Sequence, residues 1–227
     1  MSESKTPQCL GFIMDGNRRW ATEQNLQTLQ GHQKGLEVFL DAVRFIRDEK
    51  IPNAVFYAFS TENWKRSQEE VGYLMQLFSG LLARLAEELK EKQVRVRIIG
   101  TRQDFSLELQ TSMNELEEKS AIYNDTTIWI ALSYGGRAEI VDGVNQAIEK
   151  GEQVTEDSFK QLLWTADMPD PDMIVRTSGE ERLSNFLLWG AAYSEFYFIE
   201  KHWPALTKAD FNDMLLQYAN RERRQGA

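Results

Sequence analysis

The chain is poor in cysteine, histidine and proline, with one, two and five of them in 227 residues. The single thiol, Cys9, excludes an internal disulfide framework and any cysteine-based zinc site; it reads as a small buried hydrophobe. No apolar run approaches the ~18–20 residues of a membrane span. The first eight residues are polar and lack a signal-peptide core. Excess positive charge is also missing. The formal net charge is −9, which argues against a general nucleic-acid binder, since such proteins are usually basic. Neither Gly-x-Gly-x-x-Gly nor Gly-x-x-x-x-Gly-Lys-Ser/Thr follows a predicted strand, so the usual phosphate fingerprints are absent. The expectation is a cytosolic protein that meets membranes at most peripherally.

Ordinary globular patterning is present, with 42% apolar and 27% charged residues and no repeat or low-complexity tract. One α/β domain over residues 1–227 accommodates this length; residues 1–8 are expected to be flexible. Apolar runs at Leu10–Met14, Ala54–Phe59, Thr127–Leu132, Met173–Val175 and Phe196–Ile199 read as strands, and Val94–Ile98 alternates with Arg95 and Arg97. Between them, helical spacing marks Leu36–Ile46, Val71–Leu89, Leu107–Glu118, Glu139–Ile148, Phe159–Trp164 and Phe211–Tyr218. Alternating strands and helices predict a mostly parallel central sheet of about six strands, flanked by helices.

Ligands of such sheets gather at the carboxyl ends of the strands, and there the unusual polar residues lie. Asp15-Gly16-Asn17-Arg18-Arg19-Trp20 follows the first strand. Its backbone N–H groups, Gly16, a carboxylate and arginines suit a phosphate and a divalent cation; read alone, it is equally a capped turn. Ser60-Thr61-Glu62-Asn63-Trp64-Lys65-Arg66 follows the second strand, as a phosphate-facing loop or a capped one with a packed Trp64. Arg176 to Asn185 holds two arginines and two serines around Gly179, donors that a diphosphate requires; the alternative is a surface loop bridged by Glu180 and Glu181. Glu195 precedes an apolar strand and needs a metal or an arginine as partner. His202, beside Trp203-Pro204, reads as packing.

Taken together, these segments resemble the cis-prenyltransferases, in particular the undecaprenyl diphosphate synthase group. The likeness runs from about Gly11 to Gly226. It is carried by Ile13-Met14-Asp15-Gly16-Asn17-Arg18-Arg19-Trp20-Ala21, Tyr57-Ala58-Phe59-Ser60-Thr61-Glu62-Asn63-Trp64, Arg97-Ile98-Ile99-Gly100, Tyr134-Gly135-Gly136-Arg137, Ile174–Phe198 and Arg224-Gln225-Gly226. The resemblance implies a Mg²⁺-dependent condensation of isopentenyl diphosphate onto an allylic primer, farnesyl diphosphate by default. It implies catalytic roles for Asp15 and Asn63, with Mg²⁺ held by Asp15 and supported by Glu195. The primer diphosphate would lie against Gly16, Asn17, Arg18, Arg19, Trp20, His32, Trp64 and Arg66. Isopentenyl diphosphate would bind Arg176, Arg182 and Ser184, with Arg224 and Gly226 of a homodimer partner, so residues 219–227 become a tail reaching the other subunit. A hydrophobic tunnel for the product would run past the Val71–Leu89 and Leu36–Ile46 helices. Three positions depart from the family pattern. Thr28 replaces an arginine, Cys9 a histidine, and Glu181 the histidine of some bacterial members.

Overall fold

The structure is a computed structural model and describes residues 6–221, with the side chains of residues 88–92 outside that description. Among these residues six strands form one sheet: β1 (Cys9–Ile13), β2 (Asn53–Ser60), β3 (Val94–Ile99), β4 (Thr126–Tyr134), β5 (Met173–Thr177) and β6 (Glu195–Ile199). Their order is β3-β4-β2-β1-β5-β6 and every pairing is parallel. Burial follows position. β1 and β5 are buried at every residue, whereas edge strand β3 alternates, with Arg95 and Arg97 part-exposed. A strand covered on both faces reads as a continuous apolar run, and one covered on a single face reads as an alternation.

Among the described residues seven α-helices complete the fold: α1 (Asn17–Glu23), α2 (Thr28–Asp48), α3 (Gln68–Lys92), α4 (Leu107–Ser120), α5 (Gly136–Lys150), α6 (Glu156–Lys160) and α7 (Lys208–Ala219). On one face the aromatic stack of Phe12 and Phe56, 4.9 Å between centroids, sits under α2 and α7 with Phe39, Trp203 and Phe211. On the other, Trp129, Tyr134, Ile174 and Phe186 form a second core beneath the α5–α6 side. The chain leaves β1 toward β2 on one side and returns to β5 on the other. The carboxyl end of β1 is therefore a topological switch point, where a crevice opens.

Two local expectations need correction. The helix predicted over Phe159–Trp164 ends at Lys160, and irregular turns follow. The Glu139 carboxylate there accepts hydrogen bonds from Thr165 N–H and Oγ1, at 3.0 and 2.7 Å, so Leu163 and Met168 are buried by turns. Of the predicted flexible start, Pro7 is buried and the Gln8 N–H donates to Asp172 Oδ2 at 2.6 Å; residues 1–5 lie outside the described residues.

Candidate active site

β1 delivers Asp15 to the switch point, where Gly16 turns the chain into α1. Gly16 has a φ of 98°, and a Cβ there would lie 2.0 Å from Ser178 Oγ. Only glycine tolerates both the left-handed backbone and that approach. Asp15 Oδ2 accepts from Arg176 Nη2 at 2.8 Å, and Oδ1 accepts from the Gly16 N–H at 2.7 Å and lies 3.3 Å from Arg19 Nη2. Burial pushes the Asp15 carboxyl up. Arg176, Arg19 and the Gly16 N–H outweigh that and hold it below the ordinary carboxylate range.

Arg176 comes from the end of β5, beside β1, and is 4% exposed. A charge so deep requires partners. Besides Asp15, its Nη1 donates to Ser184 Oγ at 2.7 Å and to the Arg182 carbonyl. Its Nε is buried without a partner among the described residues. Glu180 joins Arg182 to Arg19, the latter at 2.8 Å. That bridge is exposed, and exposed ion pairs are cheap to open.

The opposite wall is built by α1, α2 and the start of α3. Asn63 Oδ1 accepts from the Ser60 N–H at 3.0 Å, fixing the loop after β2. His32 Nε2 and Arg66 Nη1 each lie 3.0 Å from Glu70 Oε1, and Arg18 Nη1 lies 3.9 Å from Oε2. Burial lowers the His32 pKa, with the Glu70 carboxylate offsetting part of the effect.

Between these walls lies a cleft of about 1070 Å³. Asp15, Gly16, Asn17, Arg18, Arg19, His32, Asn63, Arg66, Arg176 and Ser184 all line it. At its inner end Met14, Tyr57, Ala58 and Leu74 are shared with an apolar pocket running between α2 and α3 toward Phe39, Phe78 and Leu81. The tunnel expected there measures about 80 Å³, room for a handful of waters at about 10–15 Å³ each.

Other predicted residues fall elsewhere. Trp20 and Trp64 do not line the cleft. Trp64 packs on Phe59 and Phe105 and donates its indole N–H to Ser133 Oγ at 2.8 Å, which turns its ring into the core. The Arg182 side chain joins the rim only through Glu180. Glu195 stands at the amino end of the sheet, level with Met173 and Leu10. That is roughly 15 Å from Asp15 along the strands at ~3.3 Å per residue, so one chain does not bring the two carboxylates together. Glu195 pairs instead with Arg221 at 2.6 Å. Arg224 and Gly226 lie outside the described residues. His202 is more than packing: its ring nitrogens lie 2.7 Å from Ser178 Oγ and 2.9 Å from Glu23 Oε1, bracing the Gly16 turn.

Sequence reasoning missed Glu70 and gave no role to Tyr57 and Asn185, which line the cleft. Glu70 was hidden because acids in a first helical turn are ordinary. Among the described residues no three His, Cys, Asp or Glu side chains group as a metal cage. Asp15 alone, facing an open cleft between arginines, suits a hard cation whose remaining ligands are phosphate oxygens and water, the usual habit of Mg²⁺.

The chain is similar to known proteins along nearly its whole length. Residues 13–226 match the family model described as "Putative undecaprenyl diphosphate synthase". The chain is 45% identical to an isoprenyl transferase of Thermotoga maritima, covering 98% of this chain and 97% of that one. It is 39% identical to the farnesyl-diphosphate-specific ditrans,polycis-undecaprenyl-diphosphate synthase of Micrococcus luteus, covering 100% and 94%. The crystal structure of lavandulyl diphosphate synthase from Lavandula x intermedia, in complex with dimethylallyl diphosphate, superposes with a TM-score of 0.94 at 30% identity, covering 99% and 100%.

Proposed function

The chain belongs to the undecaprenyl diphosphate synthase family and is a prenyl transferase of the cis type; from that premise we propose that it condenses isopentenyl diphosphate onto farnesyl diphosphate, with Mg²⁺, to give a (Z)-polyprenyl diphosphate, the undecaprenyl lipid-carrier precursor of cell-wall glycans. One observation carries this reading. The Asp15–Arg176 pair sits at the ends of two adjacent strands, in a polar cleft that continues into an apolar pocket. Substrates with an anionic head and an apolar tail need that combination.

In this reading Arg18, Arg19, Arg66 and His32 receive the primer diphosphate. Arg176 and Ser184, with Arg182 beside them, receive that of isopentenyl diphosphate. Mg²⁺ at Asp15 would supply charge neutralisation for the departing diphosphate. The arginines contribute the same kind of stabilisation, greater for the separating charges than for the bound ester. C4 of isopentenyl diphosphate attacks the allylic C1 while both heads are held. Asn63, fixed by Ser60, faces the reacting end and takes part in removing the proton. The Arg176–Asp15 contact keeps each group oriented before substrate arrives.

We also read the assembly as a homodimer. Edge strand β6 leaves Phe198 36% exposed, and α5 presents Val141, Val144 and Ile148 on one uncovered face; apolar surface of this kind marks interfaces. The Glu195–Arg221 pair starts the tail from that same edge strand. A partner subunit is then the route by which Glu195, Arg224 and Gly226 would reach a site. No described helix is long and apolar enough to cross a membrane, which accords with a cytosolic enzyme meeting the bilayer peripherally as its product leaves.

The small volume of the apolar pocket favours one second reading, a family member making shorter cis-prenyl diphosphates. Incubation with farnesyl diphosphate, radiolabelled isopentenyl diphosphate and Mg²⁺, followed by product sizing, separates the two. A C55 ladder end supports the first reading. Termination after one to a few additions supports the second, and absence of any incorporation contradicts both.

A further inference from the structure

We propose that Glu70 is a positioning residue for the primer's diphosphate, its one carboxylate gathering Arg18, His32 and Arg66 into a preformed wall. The inference rests on the proposed prenyl transfer for the identity of the ligand. The geometry behind it is local. Arg18 lies on α1, His32 on α2, Arg66 just before α3, and Glu70 in the first turn of α3. Three segments thus meet on a single buried group, 9% exposed, while its neighbour Glu69 in the same turn is exposed. An acid that served only the helix dipole would not need to be buried.

The carboxylate does two things. It holds Arg66 by a 3.0 Å hydrogen bond at the cleft before any anion arrives, while Arg18, its side chain 61% exposed, stands 3.9 Å away as a looser ion pair. It also lies 3.0 Å from His32 Nε2. With Glu70 accepting from Nε2–H, His32 offers a diphosphate a donor only through a proton on Nδ1, which the Glu70 carboxylate favours and burial opposes. Burial pushes the Glu70 carboxyl up, but His32, Arg66 and Arg18 outweigh that and keep it ionised. Glu70 also removes one unit of positive charge from the wall, an opposing effect. Glu70 is buried, so that charge is little screened; the sign of the change in pyrophosphate affinity decides between it and the lost orientation of Arg66, His32 and Arg18.

The test uses the full chain carrying Glu70→Gln and, separately, Glu70→Asp. For Glu70→Gln the expected result is a KM for farnesyl diphosphate raised about tenfold, with kcat and the KM for isopentenyl diphosphate within about threefold of the parent. Calorimetric affinity for inorganic pyrophosphate should fall in parallel, and Glu70→Asp should recover part of both losses. Should the Gln variant fail to fold, the Asp variant carries the test, with a smaller rise in primer KM alone. Equal rises in both KM values overturn the proposal. So does tighter pyrophosphate binding, or a lowered melting temperature with every binding constant unchanged. If the parent binds pyrophosphate, Glu70→Gln weakens that binding and no condensation occurs with any primer, the wall stands and the proposed reaction falls.

Discussion

Asp15→Ala is expected to lower kcat by about a thousandfold or more while the chain still unfolds in one cooperative transition. The carboxylate is the acid that faces the cleft from the end of the central strand, held there by Arg176, Arg19 and the Gly16 N–H. Removing it takes away the anchor proposed for Mg²⁺ and the counter-ion that orients Arg176. A thousandfold loss corresponds to about 4 kcal/mol of transition-state stabilisation, a reasonable share for one metal-anchoring group. Stability also falls, because a buried guanidinium loses its acid. The cost stays moderate, since Arg176 keeps the Ser184 hydroxyl and the Arg182 carbonyl, and water reaches the half-open Asp15 position. Incorporation of labelled isopentenyl diphosphate at the parent rate would show that Asp15 has no part in the chemistry.

The second large effect is expected from Arg176→Ala, a rise of about a hundredfold in the KM for isopentenyl diphosphate together with a loss of kcat. Truncating one partner of a buried hydrogen-bonded charge pair costs about 2–5 kcal/mol, and this arginine fixes Asp15, Ser184 and the Arg182 carbonyl at once. Arg176→Lys should restore little, because a point charge cannot reproduce the fork. A pH signature accompanies the change. The Asp15 carboxyl is depressed in the folded chain, so its contribution to stability is present above the unfolded value of about 3.9 and lost as pH falls through the folded one. The denaturant midpoint of the parent should therefore drop below pH 4 by more than that of Arg176→Ala. Identical pH profiles would mean that the pair contributes nothing to folding.

Much of this could be read from residue order. β1, β4 and β5 are buried almost throughout, and each carries an unbroken apolar stretch, Cys9–Ile13, Ile128–Leu132 and Met173–Val175; the polar clusters after them mark the open end of a parallel sheet. What failed depended on distant partners. The turn after Phe159 follows from Glu139 capturing Thr165, which helical spacing cannot reveal. His202 carries no local sign that Ser178 and Glu23 will flank it, 24 and 179 residues away. Trp64 has the same neighbours in sequence whether it faces the cleft or Phe105. Glu195 is the instructive case. It opens its strand, so the rule that placed Asp15 at the carboxyl end puts Glu195 at the other. The tunnel was legible as apolar composition, but its volume depends on how α2 and α3 pack.

The most direct test is a calorimetric titration with an unreactive farnesyl thiodiphosphate and isopentenyl diphosphate, each alone and then together in the presence of Mg²⁺. Two diphosphate heads around Asp15 require one of each bound per chain at the same time, with isopentenyl diphosphate binding at least as tightly once the primer analogue is in place. Mutual displacement of the two ligands would mean that the cleft holds a single diphosphate, and would contradict the arrangement outright.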